Sequence, residues 1–433
     1  MIKILPLNKI NLFEFAPSIS WFFLMTVPFL YQYESFNSLG RSAQFTSVFF
    51  ITIFFFIIDF YCAKTNFFSS NHLKFARSAF FDVLSFVFIL ALATHLWLMP
   101  NIPILDVLFS SKALTSHDIG ILRENSLKLL DVPQIFKYFL NWLVIIFCPI
   151  SIVYFFLSAR RKIAFTYLFF LVFYSVATTS KFPLFQFAGS LFFIFIFNFR
   201  KFYSVLLNLI KLGLPLFLIA LFFLLSTIRD DQKFLLNKDY YNVSVSKFLD
   251  NDPRRSFSLA DNYRSNYPHS DNKFDLNYFV YRVWLTPVDV SNRWFQFFNS
   301  FTIGFTNFWP FNRQGDSFTP AQSVGHWAFR DRFPDRYLDT VSANASFDAD
   351  AFSRFGIFGV IIGTLIIAVF RCLSSALITK NPFSLLSYCI ILSMLTILPF
   401  ISSLQAIIGS HGLLIPIFIM MYFKFYANDR KKS

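Results

Sequence analysis

RYLDTVSANASFDADAFSRFGIFGVIIGTLII, Arg336 to Ile367, joins two kinds of sequence without a linker. Its second part, from Gly356 to Ile367, holds no charged residue, and such a run fits the hydrocarbon core of a bilayer. Its first part carries Arg336, Asn344, Asp348, Asp350 and Arg354. Ser346 suits a helix N-cap, and Asp348 and Asp350 would then complement the helix dipole in the first turns. Asp350 and Arg354, four residues apart, can pair on one helix face. Gly359 and Gly363 form a small-xxx-small face suited to close packing by a neighbouring span. Capping and packing leave unexplained why Asn344 stands four residues before Asp348, an amide and a carboxylate together where the apolar run begins.

The rest of the chain supports a membrane reading. Of 433 residues, 56% are hydrophobic and 67 are Phe, well above the usual share for a soluble domain. Apolar runs place spans at about 15–32, 45–62, 78–99, 138–157, 163–179, 184–198, 212–227, 352–370, 384–401 and 406–423. The expected fold is an all-α polytopic integral membrane protein of about ten transmembrane helices, with one large external (periplasmic) loop of interfacial helices. This divides the chain into 1–227, a bundle of about seven spans, 228–351, the loop, and 352–433, a bundle of about three spans. Lys3 and Lys9 precede an apolar stretch without a small-residue cleavage site, which reads as an uncleaved first span.

The net charge of +14 invites a nucleic-acid partner, but its distribution argues against one. Lys64, Lys74, Arg77, Arg160 to Lys162, Arg200, Lys201, Lys211, Arg371, Lys380, Lys424 and Arg430 to Lys432 fall on one set of alternate connections. The opposite connections carry chiefly Arg41 and Lys181. The rule that cytoplasmic loops gather Lys and Arg then puts both termini inside. The four cysteines lie in or beside spans, so the external loop has no disulfide framework or cysteine zinc site.

No phosphate-cradling GxxxxGK[ST], GxGxxG, HExxH or GxSxG occurs. Chemistry would then fall to span ends and the external loop, where neither ATP nor a sugar nucleotide is at hand, leaving substrates already activated on a lipid. Arg282 opens RVWLTP within an aromatic run and offers a fork for phosphate oxygens, or else anchors an interfacial helix by snorkelling. Lys181, in the short hairpin TTSKFP, either neutralises a pyrophosphate or meets a lipid headgroup. Arg293 follows Arg282 by about three helical turns and shares its face only if Pro287 leaves the helix intact. His326 suits a base near neutral pH, although a lone loop histidine is more often simply hydrogen-bonded. Trp284, Trp294, Trp309 and Trp327 could stack on sugar rings or anchor at the interface.

RVWLTPVDVSNRWFQFF (Arg282 to Phe298) and SANASFDADAFSRFGIFG (Ser342 to Gly359) together resemble the bacterial Wzy-type oligosaccharide repeat-unit polymerases. The shared features are an Arg-x4-Pro unit leading into an aromatic helix, then an ANxxFxxDxFxxFGxxG-like run entering a span. The basic TTSKFP hairpin is similar too, with Lys181 where an Arg is commoner. The resemblance implies a glycosyltransferase of the bacterial inner membrane that makes the O-antigen of lipopolysaccharide, capsule or exopolysaccharide. It would move a growing glycan from polyprenyl pyrophosphate to the non-reducing end of a single lipid-linked unit, with no cofactor and no metal. It would leave Arg282, Lys181, Arg293 and Arg336 to hold the pyrophosphate. Asp348, then Asp350 and His326, would receive the hydroxyl proton, with Asn344 alongside. The implied partners are the polyprenyl-linked oligosaccharide, membrane lipids, a chain-length regulator and a flippase.

Three other readings stand beside this one. An O-antigen ligase uses the same donor. A glycosyltransferase acting on polyprenyl-phosphate sugars would usually show an acidic pair in its first external loop, where this chain has only Glu34. A lipid-linked oligosaccharide flippase or other transporter would have more spans, shorter loops and charged residues inside them.

Overall fold

The computed structural model describes residues 12–36, 38–65, 79–109, 122, 126, 133–180, 182–197, 284–299, 324, 345–379 and 381–429. Among them the chain forms helices and no strand. In chain order these are α1 (Ala16–Trp21), α2 (Val27–Tyr31), α3 (Ser38–Thr65), α4 (Ala79–Leu98), α5 (Pro103–Phe109), α6 (Gln134–Trp142), α7 (Cys148–Leu157) and α8 (Arg161–Ala177). There follow α9 (Phe182–Phe197), α10 (Thr286–Phe298), α11 (Phe347–Phe355), α12 (Ile357–Leu377), α13 (Pro382–Ile397), α14 (Leu404–Ile408) and α15 (Leu414–Asp429).

Among the described residues, five helical stretches are long and apolar enough to cross a membrane: Gly40–Ala63, Phe81–Leu98, Ile135–Leu157, Ile357–Leu377 and Pro382–Phe400. Shorter apolar helices cover Ala16–Tyr31, Pro183–Ile194 and Leu414–Phe425. These are the features of an all-α membrane protein. The expected span at 212–227 lies outside the described residues.

Two of the apolar stretches are loosened in the middle, each ahead of a proline. The turns Phe22–Thr26 and Leu143–Phe147 are π-helical, and Pro28 and Pro149 follow them. A proline has no N–H and its ring meets the carbonyl four residues back, so the preceding turn widens. In an i→i+5 pattern the donor to the Phe23 carbonyl would be residue 28, which is this proline. The indole of Trp284 supplies the missing hydrogen bond, donating to Phe23 O at 2.6 Å.

The opening stretch is not the continuous helix expected from residue 352. The chain breaks at Gly356, whose φ of 61° and ψ of −146° suit a residue without a Cβ. Helix α11 ends there and α12 runs on to Leu377, with α11 folded back along it. A Cβ on Gly359 would collide with the carbonyl of Ala351, and one on Gly363 would touch Ala351 and Phe347 at 3.5 Å. The glycine face therefore receives α11, and not a separate span as expected. On its far side α12 exposes Phe358, Ile362, Leu365 and Val369 at helical spacing, a stripe suited to lipid.

A second break corrects the span expected at 406–423. Residues 409–413 separate α14 from α15, with Gly412 at φ 72° against the Trp142 ring. The indole of Trp142 donates to Gly409 O at 2.7 Å, so this turn is tied to α6.

Helix α10 also departs from expectation. Instead of lying loosely at an interface, it is buried along most of its length, from Val288 to Phe295 and again at Phe298. It packs on α3 so closely that a Cβ on Gly40 would sit 2.9 Å from both Asn292 O and Gln296 N. Phe295 meets Phe352 of α11 at 4.6 Å between ring centroids. Trp21, Phe55 and Phe347 close the core beneath, with centroids 5.3 to 6.2 Å apart.

Candidate functional site

Helices α3, α10 and α11 enclose a knot of polar side chains inside this aromatic packing. From α3, Gln44 donates to Val288 O at 3.1 Å, and its carbonyl oxygen accepts from Asn292 of α10 at 2.7 Å. Ser47, one turn on, donates to Asp348 Oδ2 at 2.9 Å. Ser346 donates to the other carboxylate oxygen, Oδ1. Ser291 lies 3.1 Å from Ser346, Oγ to Oγ. Because the Ser346 proton is committed to Asp348, Ser291 is the donor in that bond.

Ser346 occupies the N-cap position with extended backbone, as expected, but its hydroxyl does not cap the helix. It turns to the Asp348 carboxylate instead. Asp348 is fully buried, and burial pushes its carboxyl above the ordinary range, opposed by the hydroxyls of Ser346 and Ser47. Asp350 is likewise raised by burial, with the Arg354 guanidinium pulling the other way. Arg354 Nη2 lies 3.1 Å from Asp350 Oδ1, so this pairing formed as its spacing implied. Arg293 makes an equivalent pair one helix away, its Nε 3.3 Å from Asp289 Oδ2, and both side chains are nearly enclosed.

Of the sequence candidates, the fold thus gathers Asp348, Asp350 and Arg293 into neighbouring helices. Lys181, Arg282, His326, Arg336 and Asn344 lie outside the described residues, as do Trp309 and Trp327. Trp294 is buried against Phe298, with centroids 5.7 Å apart, which removes it from both sugar stacking and the membrane interface. A carboxyl raised by burial can exchange a proton nearer neutrality than a free one. In this conformation Asp348 has no open surface, and what it does is fix the start of α11 against α3. Among the described residues, no group of three or more His, Cys, Asp or Glu is placed to hold a metal ion.

Sequence reasoning missed Gln44, Ser47, Ser291 and Asn292. Their one signal was polarity inside or beside an apolar helix, where a buried partner is required. It also misassigned Arg371, which was counted among the loop charges that set orientation. Arg371 is buried in α12 and engages Glu14 and Asp59. Arg160 is drawn from the same count into a bidentate bond with Asp82, at 2.5 and 2.6 Å.

The class these features define is a helical membrane protein with charged and polar groups buried between its helices. No family model matches the chain, and no curated protein or solved structure does either.

Proposed function

We propose that this chain is a membrane-embedded glycosyltransferase of the Wzy polymerase type, joining lipid-linked oligosaccharide units at the outer face of the bacterial inner membrane. The observation that carries the reading is the meeting of the two segments on which the resemblance rests. Residues 282–298 and 342–359 are well separated in sequence, yet Ser291 reaches Ser346 and Phe295 reaches Phe352. A shared active centre would require that convergence.

In the proposed reaction an acceptor hydroxyl attacks the anomeric carbon of the growing glycan. A new C–O bond forms, the bond to polyprenyl pyrophosphate breaks, and the hydroxyl proton passes to a base. Cations must meet the departing charge. Arg282, Lys181 and Arg336 are the residues proposed for it. Arg293, already engaged by Asp289 and almost fully enclosed, is better suited to hold α10 in shape. Asp348 remains the proposed carboxyl of the site, as base or as the group that positions Ser346, with Asp350 and His326 behind it and Asn344 proposed alongside.

The test is the size profile of surface glycan in a strain lacking the gene, complemented with wild type or with Arg282→Ala. Single-repeat glycan after deletion, a ladder restored only by wild type, supports the reading and places Arg282 in the site. Loss of every attached repeat would shift it to a ligase or a flippase. One observation favours the transporter reading specifically: charged residue types inside the spans were expected of a transporter, and Asp59 and Arg371 lie there, with Glu14 against them.

A further inference from the structure

The Arg371 cluster joins four parts of the bundle: the turn Leu12–Phe15, α3, α12 and α13. Arg371 Nε donates to Asp59 Oδ1 at 3.0 Å, Nη1 to the Tyr388 hydroxyl at 2.8 Å, and Nη2 to Glu14 O at 3.1 Å and to Glu14 Oε2 at 2.5 Å. Tyr388 in turn donates to Glu14 Oε2. The other oxygen of Asp59 accepts the Ser18 backbone N–H at 3.0 Å. Glu14 Oε1 is buried and has no hydrogen-bond partner.

Two carboxyls therefore face one guanidinium in a space closed to water, with Glu14, Asp59 and Arg371 side chains no more than 3% exposed. Among the described residues, the other titratable groups beside them are the phenol of Tyr388 and the thiols of Cys62, Cys372 and Cys389, none of which supplies positive charge. Lys424 of α15 is spent on the carbonyl of Ala376. A buried, uncompensated negative charge is costly, and a buried group normally escapes the cost by taking up a proton. A metal ion is a poor alternative, because it needs several oxygen ligands and Glu14 Oε1 is the one oxygen of the two carboxyls left open.

We propose that Glu14 and Asp59 together bind one proton against Arg371, and that this proton holds the N-terminal turn to the bundle. The proton belongs to the pair as a whole, since two carboxyls on one guanidinium titrate together. Glu14 lies on a short turn, anchored to α12 through both its side chain and its carbonyl. Loss of the proton would leave two anions on Arg371, and the turn carrying Glu14 is the part free to withdraw. The inference concerns the bundle itself and stands whether or not the chain transfers glycans.

The test uses the full chain in lipid nanodiscs. Thermal unfolding is followed against pH for wild type, Glu14→Gln and Asp59→Asn, together with infrared spectra in the carboxylic-acid C=O region. A proton bound by the folded state alone makes wild-type stability fall as pH rises, by up to about tenfold in the folding equilibrium per pH unit. Glu14→Gln should remove that part of the slope, remain folded at neutral pH, and abolish one C=O band. Asp59→Asn should act in the same direction. If wild type and both variants share one slope and the band is unchanged, both carboxyls are charged and the proposal is wrong. Should Glu14→Gln fail to fold, the C=O band of wild type against Asp59→Asn decides the matter alone.

Discussion

Ser47 donates to Asp348 at 2.9 Å across 301 residues of chain, so a hydroxyl near the start of the longest helix fixes the first turn of a short one near the end. Neither residue is exposed to water, and the bond joins α3 to the acidic turn of α11 alongside the contact of Phe55 with Phe347. Ser47→Ala would leave a buried carboxylate oxygen without its donor. The expected cost is about 1–3 kcal/mol. Asp348→Asn keeps the shape and one acceptor, and the serine oxygens can accept from its amide, so it should fold. Thermal unfolding in detergent measures both. If Asp348 is the base of the proposed reaction, Asp348→Asn loses the glycan ladder while remaining folded. A retained ladder would confine Asp348 to holding Ser346 in place.

The raised carboxyls of Asp348 and Asp350 have a consequence for pH. A carboxyl whose folded pKa exceeds its unfolded one binds protons more tightly when folded. Its stabilising contribution is complete below the ordinary carboxylate range and is lost as pH rises through the folded value. Unfolding temperature should therefore climb as the pH is lowered from above the raised range toward the ordinary carboxylate range. Asp348→Asn should flatten the climb, and an unchanged profile in that variant would show that Asp348 is ionised in the fold.

The pair of Arg293 and Asp289 separates support from catalysis. Arg293→Met takes the guanidinium away from the buried Asp289 carboxyl, a loss of about 3–5 kcal/mol where a buried pair is broken from one side. Adding Asp289→Asn removes the remaining charge, so the double variant should regain expression and monodispersity. Because Arg293 is engaged within its own helix, the double variant should also regain the glycan ladder. A folded double variant with no ladder would return Arg293 to the pyrophosphate site.

Much of the helical layout could be read from the chain, because an apolar run of span length leaves the backbone few alternatives. The third helix was expected over about 45–62 and extends over Ser38–Thr65. Hydropathy stopped short because Gln44 is polar, yet α10 buries it, and polarity within a helix cannot tell water from a partner helix. Local chemistry was equally accessible: Asp350 and Arg354 pair because four residues make one helical turn. What stayed hidden depends on contacts between distant segments. Nothing near Arg371 in sequence announces Glu14, 357 residues away, and a lone arginine after an apolar run reads as a loop charge. The break at Gly356 was concealed in the same way, since a single glycine inside an apolar helical run is tolerated and does not by itself mark a stop.

Gly359 and Gly363 look equivalent in sequence, and the fold makes them unequal. A methyl group on Gly359 would sit far inside van der Waals contact with the Ala351 carbonyl oxygen, a backbone atom held by the α11 helix. Neither helix can yield without pulling Phe347 and Asp348 from their places. Gly363→Ala meets only side-chain carbons at 3.5 Å or more, an ordinary contact, and alanine is the better helix former by about 1 kcal/mol. Gly359→Ala should therefore abolish the monodisperse peak in size-exclusion chromatography, with Gly363→Ala matching wild type or surpassing it in unfolding temperature. Equal tolerance at the two positions would mean that α11 does not lie against α12, and the polar knot around Asp348 would have to be rebuilt.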